Sequence, residues 1–292
     1  MKPFPLFAFA CLLLGGVAIG FSGILMRLSD VSPLSSAFWR MALATPVLWI
    51  WAWRTGARDA AQGKRSELSP VLAYAGLFFA LELGIWHLAL HATTVSNATL
   101  LSNLTPLYIA LWLWLVHKTR FSRTFLSGLA LAMAGALLLI GPHASLGGPH
   151  LVGDALGLFS ALFYAAYQLV IKDGRDSYST ARLMAWSTLI SAICLLPIAL
   201  LAGGPFWPAT ASAWWPLLGL GLIAQIGGQT VIAYAFAHLP ASLASTGLLI
   251  QPLTATIAAW VIIGEAISPL QMAGGALLLC GIYAAKRGAN GS

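Results

Sequence analysis

Charge is what this sequence has least of. Of its 292 residues 8% are Asp, Glu, Lys or Arg and 59% are hydrophobic, with a mean hydropathy of +0.85. A soluble domain carries about 25% charged residues, so a water-soluble fold is excluded. Cysteine is sparse too: Cys11, Cys194 and Cys280 all fall inside apolar runs, with no CxxC pair. That excludes a disulfide framework or a cysteine-held metal, and predicts buried free thiols. There is no HExxH, no GxSxG, no P-loop and no pair of acids at catalytic spacing, so neither an enzyme nor a nucleotide-driven pump is expected. No cofactor and no metal is implied. The pI near 9.6 comes from cations scattered between apolar runs rather than gathered in one patch, which argues against nucleic acid as a partner.

What the sequence does have is apolar length. A helix crosses a hydrocarbon layer of about 30 Å with roughly 17 to 25 residues. Ten runs of that kind occur, at 4–26, 34–53, 70–91, 95–116, 124–141, 151–171, 181–202, 213–236, 243–263 and 269–285. Stretches such as Leu126 to Ile140 are apolar on every side, whereas barrel strands alternate. The first run continues past Cys11 to Met26, beyond the core of a signal peptide, and reads as a span. The expected fold is an all-α integral membrane protein of ten transmembrane helices.

The cations orient it. With the N-terminus cytoplasmic, thirteen of the fifteen Lys and Arg residues fall inside: Lys2, then Arg54, Arg58, Lys64 and Arg65, then Lys118, Arg120 and Arg123, then Lys172, Arg175 and Arg182, then Lys286 and Arg287. Only Arg27 falls outside, and Arg40 lies within the second span. The positive-inside rule therefore predicts both termini in the cytoplasm of a bacterial inner membrane.

Sliding the sequence over itself by 146 residues aligns Pro70 with Pro216, Ser96 with Ser242, Pro106 with Pro252, Ser122 with Ser268, Gly128 with Gly274 and Gly135 with Gly281. The offset is half the chain, which predicts two five-helix repeats, 1–146 and 147–292. An odd number of crossings per repeat inverts the second copy, a plan used by secondary transporters to enclose a central cavity. The loop with Lys118, Arg120 and Arg123 matches Gly264 to Pro269, which has no cation, as inversion requires.

The Arg40 region (SSAFWRMALATPVLWI), the stretch Phe163 to Lys172 (FYAAYQLVIK) and the segment Gln251 to Tyr283, with its Pro, Gly-Glu, Gly, Gly pattern, carry a resemblance to the EamA family of the drug/metabolite transporter superfamily. It covers essentially the whole chain. Within that family, ALELGIWH in the third span and SNLTP in the fourth are similar to the YddG-type amino-acid exporters. Lys118 and Thr119 stand where the second half has Gly264 and Glu265, so a Gly-Glu role in both halves is not implied. The resemblance implies alternating-access export of small amphipathic metabolites, and two paired halves suffice for a monomeric path.

The candidate substrate residues are the polar groups that lipid disfavours. Glu82 stands near the middle of the third span, with Trp86 one turn on and His87 beside it. It either binds a substrate ammonium group or exchanges protons, or else is a carboxyl bonded to a neighbouring helix; His87 either joins it or bridges helices. Ser96, Thr99 and Asn103 share one face of the fourth span. Tyr164 with Gln168, and Gln225 with Gln229, repeat a one-turn spacing, and Gln251 precedes Pro252. Each amide is equally readable as interhelical glue. Trp186 is either a stacking surface or an interfacial anchor. Arg40, about two turns inside the outer end of the second span, either snorkels outward, forms half of a structural ion pair or holds a carboxylate. Gly16 with Gly20, Gly153 with Gly157, Gly128 with Gly135 and Gly274 with Gly281 predict close helix packing.

The functional expectation is an exporter of amino acids, aromatic or neutral, with membrane lipid as its only other partner. The alternatives are proton-coupled efflux of cationic compounds, for which Glu82 alternates between proton and substrate, and an intramembrane enzyme.

Overall fold

The computed structural model describes residues 5–93, 95–140, 148–264 and 266–289. The expected repeat boundary at 146/147, Glu265 and the side chain of Ser96 lie outside the described residues. Among the described residues the structure is helical, without strands. In chain order the helices are α1 (Leu6–Gly20), α2 (Ser22–Arg27), α3 (Pro33–Ala61), α4 (Pro70–Ala92), α5 (Val95–Ser102), α6 (Thr105–Leu115) and α7 (Arg123–Ile140). They continue with α8 (Leu151–Ser177), α9 (Thr180–Leu201), α10 (Trp214–Gly219), α11 (Thr230–Phe236), α12 (Ala241–Gly247), α13 (Ile250–Ile263) and α14 (Pro269–Ala289). A π-helical segment, Leu220–Gln229, joins α10 to α11.

Within the described residues each of the ten apolar runs is largely helical, and eight helical segments are long and apolar enough to cross a membrane. The chain is an integral membrane protein. Helices α3 and α14, of 29 and 21 residues, are long enough but less apolar, because α3 carries Arg40 and α14 carries Gln271 and ends in Lys286 and Arg287. Leu14, Leu111, Ile193 and Val261 are exposed on the outside of the bundle, the arrangement an apolar solvent requires. The expectation of three buried thiols is corrected: the cysteines are free, but Cys11 and Cys194 are half-buried and Cys280 is exposed, since a thiol is tolerated against lipid.

Starts follow local chemistry. Pro33, Pro70 and Pro269 open α3, α4 and α14, where the missing N–H is no loss. The Ser32 and Ser179 hydroxyls accept the N–H of Ser35 and Arg182 at 3.3 and 3.2 Å. Ser268 and Gln271 cap one another before α14, at 2.9 and 3.2 Å, a capping box.

Four expected spans are not single regular helices. The first breaks at Phe21, and the eighth widens into the π segment. The fourth breaks at Asn103 and Leu104, and the ninth at Leu248 and Leu249. Pro106 and Pro252 explain the last two, because neither can donate to the carbonyl four residues back. The Ser102 carbonyl accepts instead from the Thr105 hydroxyl at 3.0 Å, and that of Leu248 from the Gln251 N–H at 3.0 Å. The two prolines are one repeat offset apart.

Glycine sets the tightest packing. A Cβ at Gly128, Gly135, Gly281 or Gly288 would fall on the backbone of Ala285, Leu278, Ala132 or Phe125 respectively. Numbers rise along α7 as they fall along α14, so the two helices are antiparallel with their backbones touching. Gly15 meets Gly228 where α1 crosses the π segment, and Gly153 meets Ala92 where α8 crosses α4. The predicted glycine pairs are packing positions.

Bonds between connecting segments gather at two ends of the bundle. At one end the Ser32 N–H donates to the Pro205 carbonyl at 2.8 Å, and the Ala209 N–H to Asp30 at 2.9 Å. At the other the Arg65 N–H donates to the Ser177 carbonyl at 2.9 Å. There Lys172 Nζ donates to the carbonyls of Phe236 and Leu239 at 3.2 and 2.9 Å, and the Ser122 hydroxyl to that of Gly288 at 2.8 Å.

Candidate functional site

A cavity of about 580 Å³ lies between the helices, large enough for a small metabolite. Glu82 and Trp86 reach it from α4, Thr99 from α5, and Asn103 from the break before α6. Tyr164 and Gln168 reach it from α8, Gln229 from the π segment, and Gln251 from the start of α13. The cavity extends to one end of the bundle, where Arg27, Pro33, Ile140 and Ala266 line it.

Local structure explains why these groups meet there. Asn103 folds its amide back on the Thr99 carbonyl at 2.7 Å, satisfying backbone that the proline break loosens. The Thr105 hydroxyl reaches the Ala161 carbonyl at 3.2 Å, tying the broken helix to α8. Tyr164 donates to Gln229 Oε1 at 3.5 Å, while the π segment, a feature often found at functional sites, carries Gln225 and Gln229. Tyr167 stacks on Phe79 at 4.5 Å and 16° and continues to Tyr164 at 6.2 Å and 10°. An aromatic wall thus runs from α4 to α8.

Two polar features stand out. Gln168 is 2% exposed, yet neither its amide nitrogen nor its oxygen has a hydrogen-bond partner among the described residues. Glu82 Oε2 is buried in the same condition. A buried polar group without a partner is costly, and both of these face the cavity.

His87 and Gln225 do not line the cavity. His87, 4% exposed, holds a ring nitrogen against the Leu83 carbonyl and borders a small void beside Ser36 and Leu220. Gln225 is fully buried, accepts from Arg40 Nε at 3.2 Å and donates to Thr188 at 3.1 Å. Trp186 packs edge-to-face on Trp49 at 5.0 Å, which makes it part of the α3–α9 contact. Arg40, read from sequence as a snorkelling cation or an ion-paired one, is 8% exposed and faces the cavity. Phe79, Ser102, Ser245 and Gln271 line it as well and were not singled out. Phe79 was within reach, since it precedes Glu82 by three residues on one helix face; nothing in the sequence marks the others.

A model of the EamA-like transporter family matches the chain twice, over residues 6–141 and 151–285. An uncharacterized transporter of Archaeoglobus fulgidus is 29% identical over 89% of this chain and 90% of its own length. The pseudopaline exporter CntI of Pseudomonas aeruginosa is 24% identical over 86% of this chain and 84% of its own. The threonine/homoserine exporter RhtA of Salmonella typhimurium is 28% identical over 73% of this chain and 69% of its own. A solved crystal structure superposes with a TM-score of 0.83 at 17% identity, covering 97% of this chain and 98% of that one, a likeness of fold.

Proposed function

The chain belongs to the EamA-like transporter family, and we propose that it is a secondary transporter exporting small amphipathic metabolites, above all aromatic or neutral amino acids, across the inner membrane. The observation that carries this reading is the cavity, in which polar groups from α4, α5, α8, the π segment and α13 converge beside aromatic rings. Two relatives are named as exporters, one of the amino acids threonine and homoserine and one of pseudopaline. Glu82 holds the substrate ammonium, Trp86 and Tyr164 its apolar part, and Thr99, Asn103, Gln168, Gln229 and Gln251 supply hydrogen bonds. No bond of the substrate is made or broken.

Transport proceeds by alternating access between two inverted five-helix repeats, 1–146 and 147–292, with ten crossings and both termini cytoplasmic. Three observations support that plan. The family model matches the two halves separately. Helices α7 and α14, equivalent under the 146-residue offset, run antiparallel. Among the described residues, the bonds between connecting segments join segments assigned to the same side of the membrane. On this topology the end bearing Arg27, Ile140 and Ala266 is the outer one, and the cavity is outward-facing. The single chain encloses it without a second copy.

Reconstituted into liposomes, the protein is expected to exchange labelled phenylalanine or leucine for internal unlabelled amino acid, with Glu82→Gln reducing exchange at least tenfold. Absence of exchange for every neutral and aromatic amino acid sinks the reading. Because Glu82 Oε2 lacks a partner among the described residues, a proton-coupled cation carrier is the second reading, and it requires uptake driven by a pH gradient alone.

A further inference from the structure

Arg40 and Glu82 bring opposite charges into one cavity. The Arg40 guanidinium carbon lies 5.8 Å from the centre of the Phe79 ring. Phe79 and Glu82 are three residues apart on α4 and share a face, so the guanidinium and the carboxylate are neighbours along one wall. No hydrogen bond joins them: Glu82 Oε2 has no hydrogen-bond partner among the described residues, and the side-chain bond of Arg40 there goes from Nε to Gln225.

That bond has a geometric consequence. Gln225 is fully buried and anchored by its own amide to Thr188 at 3.1 Å, so it fixes the guanidinium through Nε. The two terminal nitrogens of Arg40 form the other donor fork, and such a fork matches the two oxygens of a carboxylate. An isolated cation within lipid is disfavoured and usually faces a polar path. With Nε tied to Gln225 and no hydrogen bond from Arg40 to Glu82 among the described residues, the terminal fork is left to an anionic group that enters the cavity.

We propose that Arg40 binds the substrate's carboxylate, so that the transported molecule is a zwitterion lying along the Phe79 wall with its ammonium group at Glu82. Gln225 is then a positioning residue acting through Arg40. This rests on the amino-acid reading above and narrows it: amines without a carboxylate and acids without an ammonium group are poor substrates. A structural role for Arg40, as a counter-charge that keeps Glu82 ionised, makes a different forecast, because its loss would depress all substrates alike.

Probes sharing one ring and differing at their ends separate these roles. In proteoliposomes the unaltered protein is expected to carry phenylalanine at least tenfold better than phenethylamine or 3-phenylpropionate. Arg40→Gln should cut phenylalanine exchange at least tenfold and phenethylamine exchange less than threefold, while Arg40→Lys keeps part of the preference. Should Arg40→Gln fail to fold, Gln225→Leu should raise the KM for phenylalanine severalfold and leave that for phenethylamine unchanged. Equal loss of phenylalanine and phenethylamine in these variants overturns the role of Arg40 while amino-acid export stands. If the unaltered protein carries phenethylamine as well as phenylalanine, the role of Arg40 falls while amino-acid export stands; if it carries no neutral or aromatic amino acid at all, both readings fall together.

Discussion

Gly281 of α14 lies directly on the backbone of Ala132 of α7, with no room between them for even one Cβ. Small residues let helices approach closely where lipid offers no hydrophobic drive for association, and here the approach joins the last helix of each half. A larger side chain must part them. Gly281→Leu is expected to destabilise the detergent-solubilised protein by at least about 1–3 kcal/mol, visible as a lowered melting temperature. An unchanged melt contradicts the packing described.

Gln168 offers a cleaner separation of stability from function. Its amide is buried with both polar atoms unpartnered among the described residues, so replacement by an apolar residue of similar size removes a penalty of about 1–3 kcal/mol. Gln168→Leu should therefore melt at the same or a higher temperature while exchange falls at least tenfold. A variant that loses stability together with transport indicates a structural amide instead.

Gly23 lines the cavity, and a Cβ built there meets nothing within 4 Å. Gly23→Leu is expected to leave the melting temperature within about 2 °C, since surface-like positions usually change stability by less than ~0.5 kcal/mol. It should nevertheless exclude bulky substrates, and a panel from alanine to tryptophan measures this. Undiminished tryptophan exchange would place the path elsewhere.

Lys172 caps the carbonyl end of α11, donating to Phe236 and Leu239, where a helix dipole favours a cation. On the proposed topology this contact closes the cytoplasmic end. Lys172→Met removes charge-assisted bonds worth about 1.5–3 kcal/mol and should favour opening there. Leu239 is 1% exposed, so a cysteine at that position reports the change: maleimide applied from the inside should label it faster in the Lys172→Met background. Equal labelling rates would show that the lysine is not a closing contact.

Much of this protein is written in runs and punctuation, which are local. Apolar length placed the long helical segments, because backbone polar groups in hydrocarbon must be satisfied within the segment. The spacing of Pro and Gly exposed the duplication, and the tight glycine contacts fall at those positions because only glycine allows backbones to touch. Intramembrane polar residues singled out Glu82, Gln168 and their companions. What remained hidden was direction around each helix. A span apolar on all sides gives no periodic signal to tell its lipid face from its protein face, so His87 and Gln225 looked like cavity residues and instead lie behind the wall.

Arg40 shows the same limit from the other side. As one cation near the end of a span it had every reason to snorkel, and nothing adjacent in the chain opposed that. Its place in the cavity was decided by Gln225, 185 residues away, together with Thr188 and the Phe79 ring. Such a pairing exists only once α3, α4, α9 and the π segment have packed, because a buried hydrogen bond depends on geometry between elements that no single helix contains.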